Sequence, residues 1–277
     1  MMNVNEVMLT GILVSDLVSD HTTGGDTFYR TAIHVDRRRA VTDEEVPFDE
    51  IPLMVSSYAL APFRGRVPQS GDLVQATGEL RLAVYLTDDG DTRRREMYIL
   101  VTELLPVADG TAHSNRVTVS GKITRAARYR SGYTEEGRIS ESSSLSIAVP
   151  FGIGQRTVFI TVLSNSRVAR ATRYYVLGDT LKVEGHIRLA DRVITSAETG
   201  ESHPLRVGYI VAQGMEVLEY APDDGDAATT DGESSSDTSL AVDSAAGLED
   251  VDIRTSADPD DPTFSAAEDI LGPDADM

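Results

Sequence analysis

Cationic and aromatic residues alternate most densely between residues 123 and 133, in the predicted loop ITRAARYRSGY. This stretch carries Arg125, Arg128, Tyr129, Arg130 and Tyr133, and it contains no acidic residue. Guanidinium groups bind phosphates, and aromatic rings are flat surfaces on which bases stack. The stretch therefore predicts contact with a nucleic acid, and best with a single strand, whose bases are free to stack.

Residues that would support catalysis or metal binding are few. The chain has no cysteine, and its five histidines lack the close spacing of metal ligands, so we expect no metal and no other cofactor. No phosphate-cradling loop, GxSxG or HExxH sequence is present. We therefore expect a protein that is not an enzyme. A weaker alternative is a Mg²⁺-dependent nuclease that uses Asp36 or Glu79.

Charge divides the chain into two very different parts. Residues 1–218 hold 24 Lys and Arg against 27 Asp and Glu, a net charge of -3, whereas residues 219–277 hold one cation and 18 acids, a net charge of -17. The net charge of -20 for the whole chain therefore does not exclude nucleic-acid binding by the first part. Residues 220–277 have one aromatic residue and no sustained periodicity, so we expect a disordered acidic tail.

Apolar runs in the sequence are too short for a membrane span. None approaches the roughly 18 residues that a transmembrane helix needs, and the N-terminus lacks a signal-peptide pattern. We expect a soluble, cytoplasmic protein without a membrane partner.

The first part of the chain contains an internal repeat. Gly71-Asp72 and the following segment up to Arg81 recur at an offset of 107 as Gly178-Asp179 and the segment up to Arg188. The opening NEVMLTG at Asn5 recurs at an offset of 110 as NRVTVSG at Asn115. The sequence therefore predicts a tandem duplication, with one unit at residues 1–106, a linker at 107–114 and a second unit at 115–219.

Each unit shows the alternation of a β domain with one interruption. Residues 28–35 and 145–149 predict second strands, residues 51–55 and 158–163 third strands, and residues 95–105 and 205–218 fifth strands. A turn or short helix is expected between the third strand and the Gly-Asp turn. Three strands, a helix and two strands form the chain order of the OB-fold, a five-stranded Greek-key barrel. We expect an all-β protein with two tandem OB-folds; an all-β sandwich is the alternative.

Strand parity places cations and aromatics on the sides that face away from the predicted cores. In both units the fourth strand presents an arginine at the same position of the repeat, and the second strand of unit one adds an aromatic and a cation. The predicted nucleic-acid-binding residues on these strands are Phe28, Arg30, Arg81, Tyr85, Lys182, Arg188 and Arg192. Arg94, in the loop cluster Arg93–Arg95, is a further predicted phosphate contact.

The openings NEVMLTG and NRVTVSG, together with the segment GELRLAVY from Gly78 to Tyr85, resemble the bacterial single-stranded DNA-binding protein family. The resemblance covers about residues 3 to 218 in two copies. It implies OB-folds that coat single-stranded DNA during replication, recombination or repair. It also implies a homodimer that presents four OB units, because most members have one unit per chain and assemble as tetramers. The family's stacking tryptophans are absent here, so stacking would fall to Tyr, Phe and Arg.

The resemblance extends in part to the acidic tail. Tails in this family end in an acidic cluster followed by Pro-Phe and recruit replication or repair proteins. In this chain the nearest match lies thirteen residues before the C-terminus, and two further apolar residues follow it. The residues expected to dock partners are Asp260, Asp261, Phe264, Ile270 and Leu271.

A second function stays open at the level of the sequence. Because OB-folds carry many functions, the two units can also form a protein-interaction scaffold without strong nucleic-acid binding. The net charge of -3 over residues 1–218 is compatible with that alternative.

Overall fold

Strands that alternate between buried and exposed residues make up most of the computed structural model. The structure describes residues 3–37, 47–86, 93–134, 137–152, 156–195 and 202–222, with no side chains described at 84–86, 93–95, 192–195 and 202–205. The tail residues Asp260, Asp261, Phe264, Ile270 and Leu271 therefore lie outside the described residues, as does the expected disorder of residues 223–277.

The first repeat is a closed five-stranded barrel with one extra hairpin strand. Its strands are β1 (Asn5–Leu13), β2 (Val18–Thr23), β3 (Asp26–Asp36), β4 (Phe48–Ser56), β5 (Leu73–Leu86) and β6 (Arg93–Pro106). The barrel closes in the order β1, β3, β4, β6, β5 and back to β1, with β4 and β6 parallel and the other pairs antiparallel. A 3₁₀ helix, Ser57–Phe63, lies between β4 and β5.

The second repeat closes in the same way. Its elements are β7 (Ser114–Tyr133), β8 (Ile139–Phe151), β9 (Arg156–Asn165), α1 (Ser166–Ala171), a 3₁₀ turn (Thr172–Tyr174), β10 (Thr180–Thr195) and β11 (Ser202–Glu219). The strand order is β7, β8, β9, β11, β10 and back to β7, with β9 and β11 parallel. This is the OB topology, so the predicted all-β fold with two OB barrels is confirmed and the sandwich alternative is wrong.

The two barrels share one sheet and one core. The first strands of the repeats, β1 and β7, pair antiparallel from Asn5↔Val119 to Thr10↔Ser114. Buried residues of both barrels form a single hydrophobic cluster that includes Val7 and Val117. Val107–His113 thus connects two barrels that already contact each other directly.

The asparagine at the start of each repeat forms hydrogen bonds with the backbone of the fourth strand in the same barrel. The side-chain amide of Asn5 donates to the Leu80 carbonyl at 3.0 Å and accepts from the Leu80 amide at 2.9 Å. Asn115 makes the same two bonds with Ile187, at 2.7 and 2.9 Å. Leu80 and Ile187 are equivalent at the repeat offset of 107. Each asparagine therefore satisfies backbone groups at the point where the fourth strand bends away from the first.

The glycines of the Gly-x-Leu/Ile-Arg segments are needed where strands approach closely. Register shifts occur beside Gly78 and Gly185 in β5 and β10. A Cβ at Gly78 would collide with the Leu100 carbonyl oxygen, and one at Gly185 would collide with the Val211 carbonyl oxygen. These positions are β-bulges at which the barrel wall turns, which explains why both copies have glycine there.

Candidate nucleic-acid interface

Outward side chains of β7, β8 and β9 form a continuous polar surface on the second barrel. We call it the second-repeat face. Its members are Lys122, Arg125, Arg128, Arg130, Ser142, Ser144, Ser146, Ala148, Phe159 and Thr161. The serines alternate with the buried residues Ser143, Leu145 and Ile147, which fixes the outward direction. The second and third strands of an OB barrel form its usual ligand-binding face.

One row of this face combines a cation with an aromatic ring. Lys122 pairs with Ala148, and Ala148 pairs with Phe159 on the next strand. Strand spacing places Lys122 and Phe159 about 10 Å apart. Phe159 is 56% exposed, whereas its neighbours Val158 and Ile160 are buried. A ring for a base and an ammonium group for a phosphate therefore stand side by side.

Phe159 is a candidate stacking residue that the sequence analysis missed. The predicted third strand includes it, and its neighbours Val158, Ile160 and Val162 define the core parity. An aromatic residue on the opposite parity was the signal that could have identified it. The surrounding polar residues Thr157 and Thr161 are exposed on the same side.

Positive charge is concentrated on the second repeat. The strand β7 carries Arg116, Lys122, Arg125, Arg128 and Arg130 and no acid. The loop predicted at residues 123–133 is wrong, because these residues continue β7 as one edge of a hairpin. Neither Lys122 nor Arg125 forms an ion pair with any residue in the described part of the chain. Residues 115–219 hold 14 cations and 10 acids, a net charge of +4, whereas residues 1–106 hold 10 cations and 17 acids, a net charge of -7. The two repeats therefore have similar folds and opposite net charges.

The predicted residues Tyr129 and Tyr133 lie in different environments. Tyr133, near the tip of the β7–β8 hairpin, is 80% exposed and pairs with Ile139. Tyr129 is half-buried, and its hydroxyl donates to Glu141 at 2.6 Å. This bond to a carboxylate raises the pKa of Tyr129 above its usual value. The Tyr133 ring is therefore exposed, whereas Tyr129 is held in a network of side chains.

The first repeat has a corresponding first-repeat face on β3 and β4. Its outward members are Phe28, Arg30, Ala32, His34, Glu50, Pro52 and Met54. The predicted residues Phe28 and Arg30 do lie on this face. Phe28 is half-buried and stacks on His21, with ring centroids 4.8 Å apart. Arg30 is exposed but forms an ion pair with Asp20, which neutralises much of its charge.

The row equivalent to Lys122–Ala148–Phe159 differs in the first repeat. Ile12 pairs with His34, and His34 pairs with Glu50. The first repeat thus places an apolar residue and a carboxylate where the second places a cation and an aromatic ring. This substitution makes the first-repeat face a poorer surface for phosphates and bases.

Strand parity predicted that Arg81 points into solvent, but its side chain is covered. Its guanidinium lies over the ring of Phe151 in the second repeat, 4.3 Å from the centroid, and also pairs with Glu79. Its side chain is 13% exposed. The parity was right, because Arg81 faces away from its own core, but the other barrel covers that side. Contact of Arg81 with nucleic acid stays a prediction, and the low exposure of its side chain does not favour it.

Arg188 is covered in the same way from the opposite direction. Its Nη1 lies 3.0 Å from Oδ2 of Asp49 in the first repeat, and its side chain is 18% exposed. Asp49 is 3% exposed and also binds Arg37 at 2.9 Å. Burial lowers the pKa of Arg188, and the Asp49 carboxylate opposes that effect. The expected open position is therefore wrong for Arg188 too.

The remaining predicted contacts are less well defined. Lys182 faces outward on β10 as predicted, and it forms an ion pair with Glu184 that raises its pKa. The side chains of Tyr85, Arg94 and Arg192 lie outside the described residues. The backbone pairs Tyr85 with Arg94 across β5 and β6, so Arg93–Arg95 begin a strand and the predicted loop at these residues is wrong.

The described part of the chain offers little for metal binding or membrane insertion. No group of three or more His, Asp or Glu side chains within it is arranged to hold a metal ion. Helices in the same residues are short, and none has the length and apolarity to cross a membrane.

Two solved structures that share this fold are of a single-stranded DNA binding protein from Thermus aquaticus. The wild-type single-stranded DNA binding protein from Thermus aquaticus aligns with 80% of this chain and 97% of its own, with a TM-score of 0.56 and 22% identity. A deletion mutant of the same protein aligns with 80% and 98%, with a TM-score of 0.57 and 21% identity. No protein-family model and no curated protein sequence matches this chain. The expected resemblance is thus confirmed at the level of the fold.

Proposed function

We propose that this protein binds single-stranded DNA without sequence preference, mainly through the second-repeat face. The observation that carries the proposal is the row Lys122–Ala148–Phe159 on the ligand-binding side of an OB barrel. Lys122 and Arg125 form no ion pair within the described residues, and Lys122 lies in the same row as the exposed ring of Phe159. Binding of a single strand requires these two elements, a cationic track and a stacking surface.

The composition of the face favours a single strand without regard to sequence. Every base has a π-face, so stacking on Phe159 does not select one base. Stacking also requires unpaired bases, which a duplex does not offer. The serines of β8 provide short hydroxyl groups that can contact sugar or phosphate oxygens along the whole face.

The first-repeat face makes a smaller contribution to the same path. Phe28 and Arg30 give it a ring and a cation, but Asp20 forms an ion pair with Arg30, and Glu50 adds a carboxylate opposite His34 on the same face. The negative charge of the first repeat reduces its attraction for phosphates. Tight binding therefore depends on the second repeat.

Assembly and the tail complete the proposal. Residues 1–106 and 115–219 are the two OB units, 107–114 is the linker, and a homodimer supplies four units. Residues 220–277 recruit replication, recombination or repair proteins, with Asp260, Asp261, Phe264, Ile270 and Leu271 as docking points. The described chain supports the dimer only through its fold. A light-scattering mass equal to the 29.9 kDa of one chain would contradict it.

A binding titration tests the function. The chain has ten tyrosines and no tryptophan, so tyrosine fluorescence reports binding. We expect oligo-dT to bind tightly at low salt, duplex DNA of the same length to bind much more weakly, and the oligo-dT affinity to fall steeply as salt is raised. Absence of oligo-dT binding at low salt would reject the proposal and favour the scaffold function.

A further inference from the structure

A network of charged side chains lies on the side of the β7–β8 hairpin opposite to the second-repeat face. Glu141 of β8 is its centre, with a side chain that is 9% exposed. It accepts hydrogen bonds from the Tyr129 hydroxyl at 2.6 Å and from Nε of Arg170 at 2.9 Å, and a second Arg170 nitrogen binds its other oxygen. The guanidinium of Arg173 lies over the Tyr129 ring, 5.2 Å from its centroid.

The network holds two arginines at the surface, and each has N–H groups that are not used within the network. Arg170 is 61% exposed and uses two of its nitrogens on Glu141, which leaves N–H groups that face solvent. Arg173 is exposed and forms no ion pair within the described residues. The Arg170 and Tyr129 hydrogen bonds lower the pKa of Glu141, so its carboxylate stays charged and keeps Arg170 in place at neutral pH. Glu141 thus pairs with Arg170 alone, and the two arginines give the cluster a net positive charge.

The first repeat lacks this network, so an OB barrel does not need it to fold. The strand register places Ser19 and Thr27 at the positions of Tyr129 and Glu141. Arg66, in the corresponding segment of the first repeat, pairs with Asp72. In the second repeat the corresponding Asp179 is fully buried and accepts backbone N–H groups from Val176 and Ala221 instead. Within the described residues Asp179 therefore forms no ion pair with Arg170 or Arg173.

The network lies within reach of a strand bound on the second-repeat face. Tyr129 alternates along β7 with Arg128 and Arg130, so the two sets point to opposite sides of the same hairpin. Pairing of β7 with β10 ends at Lys122, and the outer edge of β7 beyond it pairs with no described strand. A flexible single strand can pass around this open edge from one side of the hairpin to the other.

We infer that Arg170 and Arg173 form a phosphate-binding position where a single strand leaves the second-repeat face. The inference rests on the proposed function and names an additional contact for it. The planar guanidinium fork matches phosphate oxygens, and Arg170 is already oriented by its two bonds to Glu141. Glu141 and Tyr129 are positioning residues, since they act through the arginines.

Salt dependence of binding tests the position. In the full chain, the variant Arg170→Gln/Arg173→Gln is compared with Arg64→Gln/Arg66→Gln, which removes the same charge from the corresponding segment of the first repeat. We expect the log-log salt slope for oligo-dT to become shallower by about 0.7 in the first variant, the value for one phosphate contact, and to stay unchanged in the second. Thermal unfolding of both variants checks that they fold.

The outcomes separate the inference from the function on which it rests. Oligo-dT binding by the wild type with no change of slope in the Arg170/Arg173 variant overturns the inference alone. Equal changes in both variants also overturn it, because they would reflect overall charge. Failure of the wild-type chain to bind at all rejects the proposed function instead.

A substitution of Glu141 tests its positioning role, because the direction of the change in DNA affinity differs between the two explanations. Glu141→Thr introduces the residue that the first repeat has at this position. Removal of a negative charge alone should tighten DNA binding, whereas loss of the bonds that orient Arg170 should weaken it. We expect affinity to fall severalfold. Tighter binding would show that Glu141 only repels DNA and would overturn the positioning role.

Discussion

Val7 and Val117 pair directly across the β1–β7 ladder, and they occupy the same position in the two repeats. The flanking pairs are reciprocal, since Asn5 pairs with Val119 and Leu9 pairs with Asn115. A local two-fold axis therefore passes through the Val7–Val117 pair. This is the geometry of a symmetric dimer interface built within one chain.

A disulfide at this pair tests the internal two-fold. The Ser120 amide donates to the Val4 carbonyl at 2.7 Å, which makes Val4–Ser120 a hydrogen-bonded pair and Val7–Val117 a non-hydrogen-bonded one. Cα atoms in such pairs are about 4.5 Å apart, within the range of a disulfide. Because the chain has no cysteine, Val7→Cys/Val117→Cys should oxidise to a single bond within one chain. Non-reducing electrophoresis should show a faster monomer band. A covalent dimer would mean that the strands pair between chains.

Asp49 should be essential for the packing of the two barrels. It is buried and binds both Arg37 of its own repeat and Arg188 of the other. Loss of one partner from a buried ion pair leaves an uncompensated charge, at a cost of about 3–5 kcal/mol. We expect Asp49→Ala to lower the free energy of unfolding by that amount in denaturant titration. Glu50→Ala, which removes only a 3.8 Å surface pair with Arg206, should cost less than about 1 kcal/mol. Similar losses in both variants would contradict the assignment.

The two opening asparagines should contribute equally to stability. Each makes two hydrogen bonds with the backbone of the fourth strand in its own barrel. Replacement by alanine leaves those backbone groups unsatisfied, at about 1–3 kcal/mol for each site. Thermal unfolding of Asn5→Ala and Asn115→Ala should show similar losses, whereas exposed Asn3→Ala should show none. No loss at either repeat position would mean that water replaces the amide.

Strand parity predicted much of the fold, but it could not predict which residues of the other repeat cover an outward side chain. The Gly-Asp turns, the alternating strands and the repeat offset were enough to predict two OB barrels. The same parity placed Arg81 and Arg188 away from their own cores, as observed. Strand parity could not show that Phe151 covers Arg81 or that Asp49 covers Arg188. Packing between the two repeats produces no periodic pattern in the sequence of either strand.

Other parts of the site had signals that were weaker or absent. Phe159 stood on the polar parity of a predicted strand, so its exposure could be read from the sequence. Arg170 and Arg173 lie in a short helical segment without strong periodicity, and the bond from Arg170 to Glu141 joins residues 29 positions apart. Such a contact depends on how α1 packs against β8, which only the folded chain shows.

Removal of the acidic tail should not weaken DNA binding. Residues 223–277 carry 17 acids and one arginine, so they compete with DNA for cations when they are tethered nearby. The Ala221 amide donates to buried Asp179 at 2.8 Å, so the chain should be cut after Pro222 rather than before it. We expect oligo-dT affinity to stay equal or to rise, most clearly at low salt. Loss of binding on truncation would place essential contacts in the tail.

The comparison that tests the central claim most directly removes one ring and one cation from each repeat. Lys122→Ala/Phe159→Ala alters the second-repeat face, and Phe28→Ala/Arg30→Ala makes the matched change on the first-repeat face, where Asp20 already neutralises Arg30. Equilibrium titration with oligo-dT should show a loss of about 1–3 kcal/mol and a salt slope shallower by about 0.7 for the second-repeat variant. The first-repeat variant should lose less on both measures. An equal or larger loss in the first-repeat variant, or unchanged binding in both, would contradict the assignment of DNA binding to the second repeat.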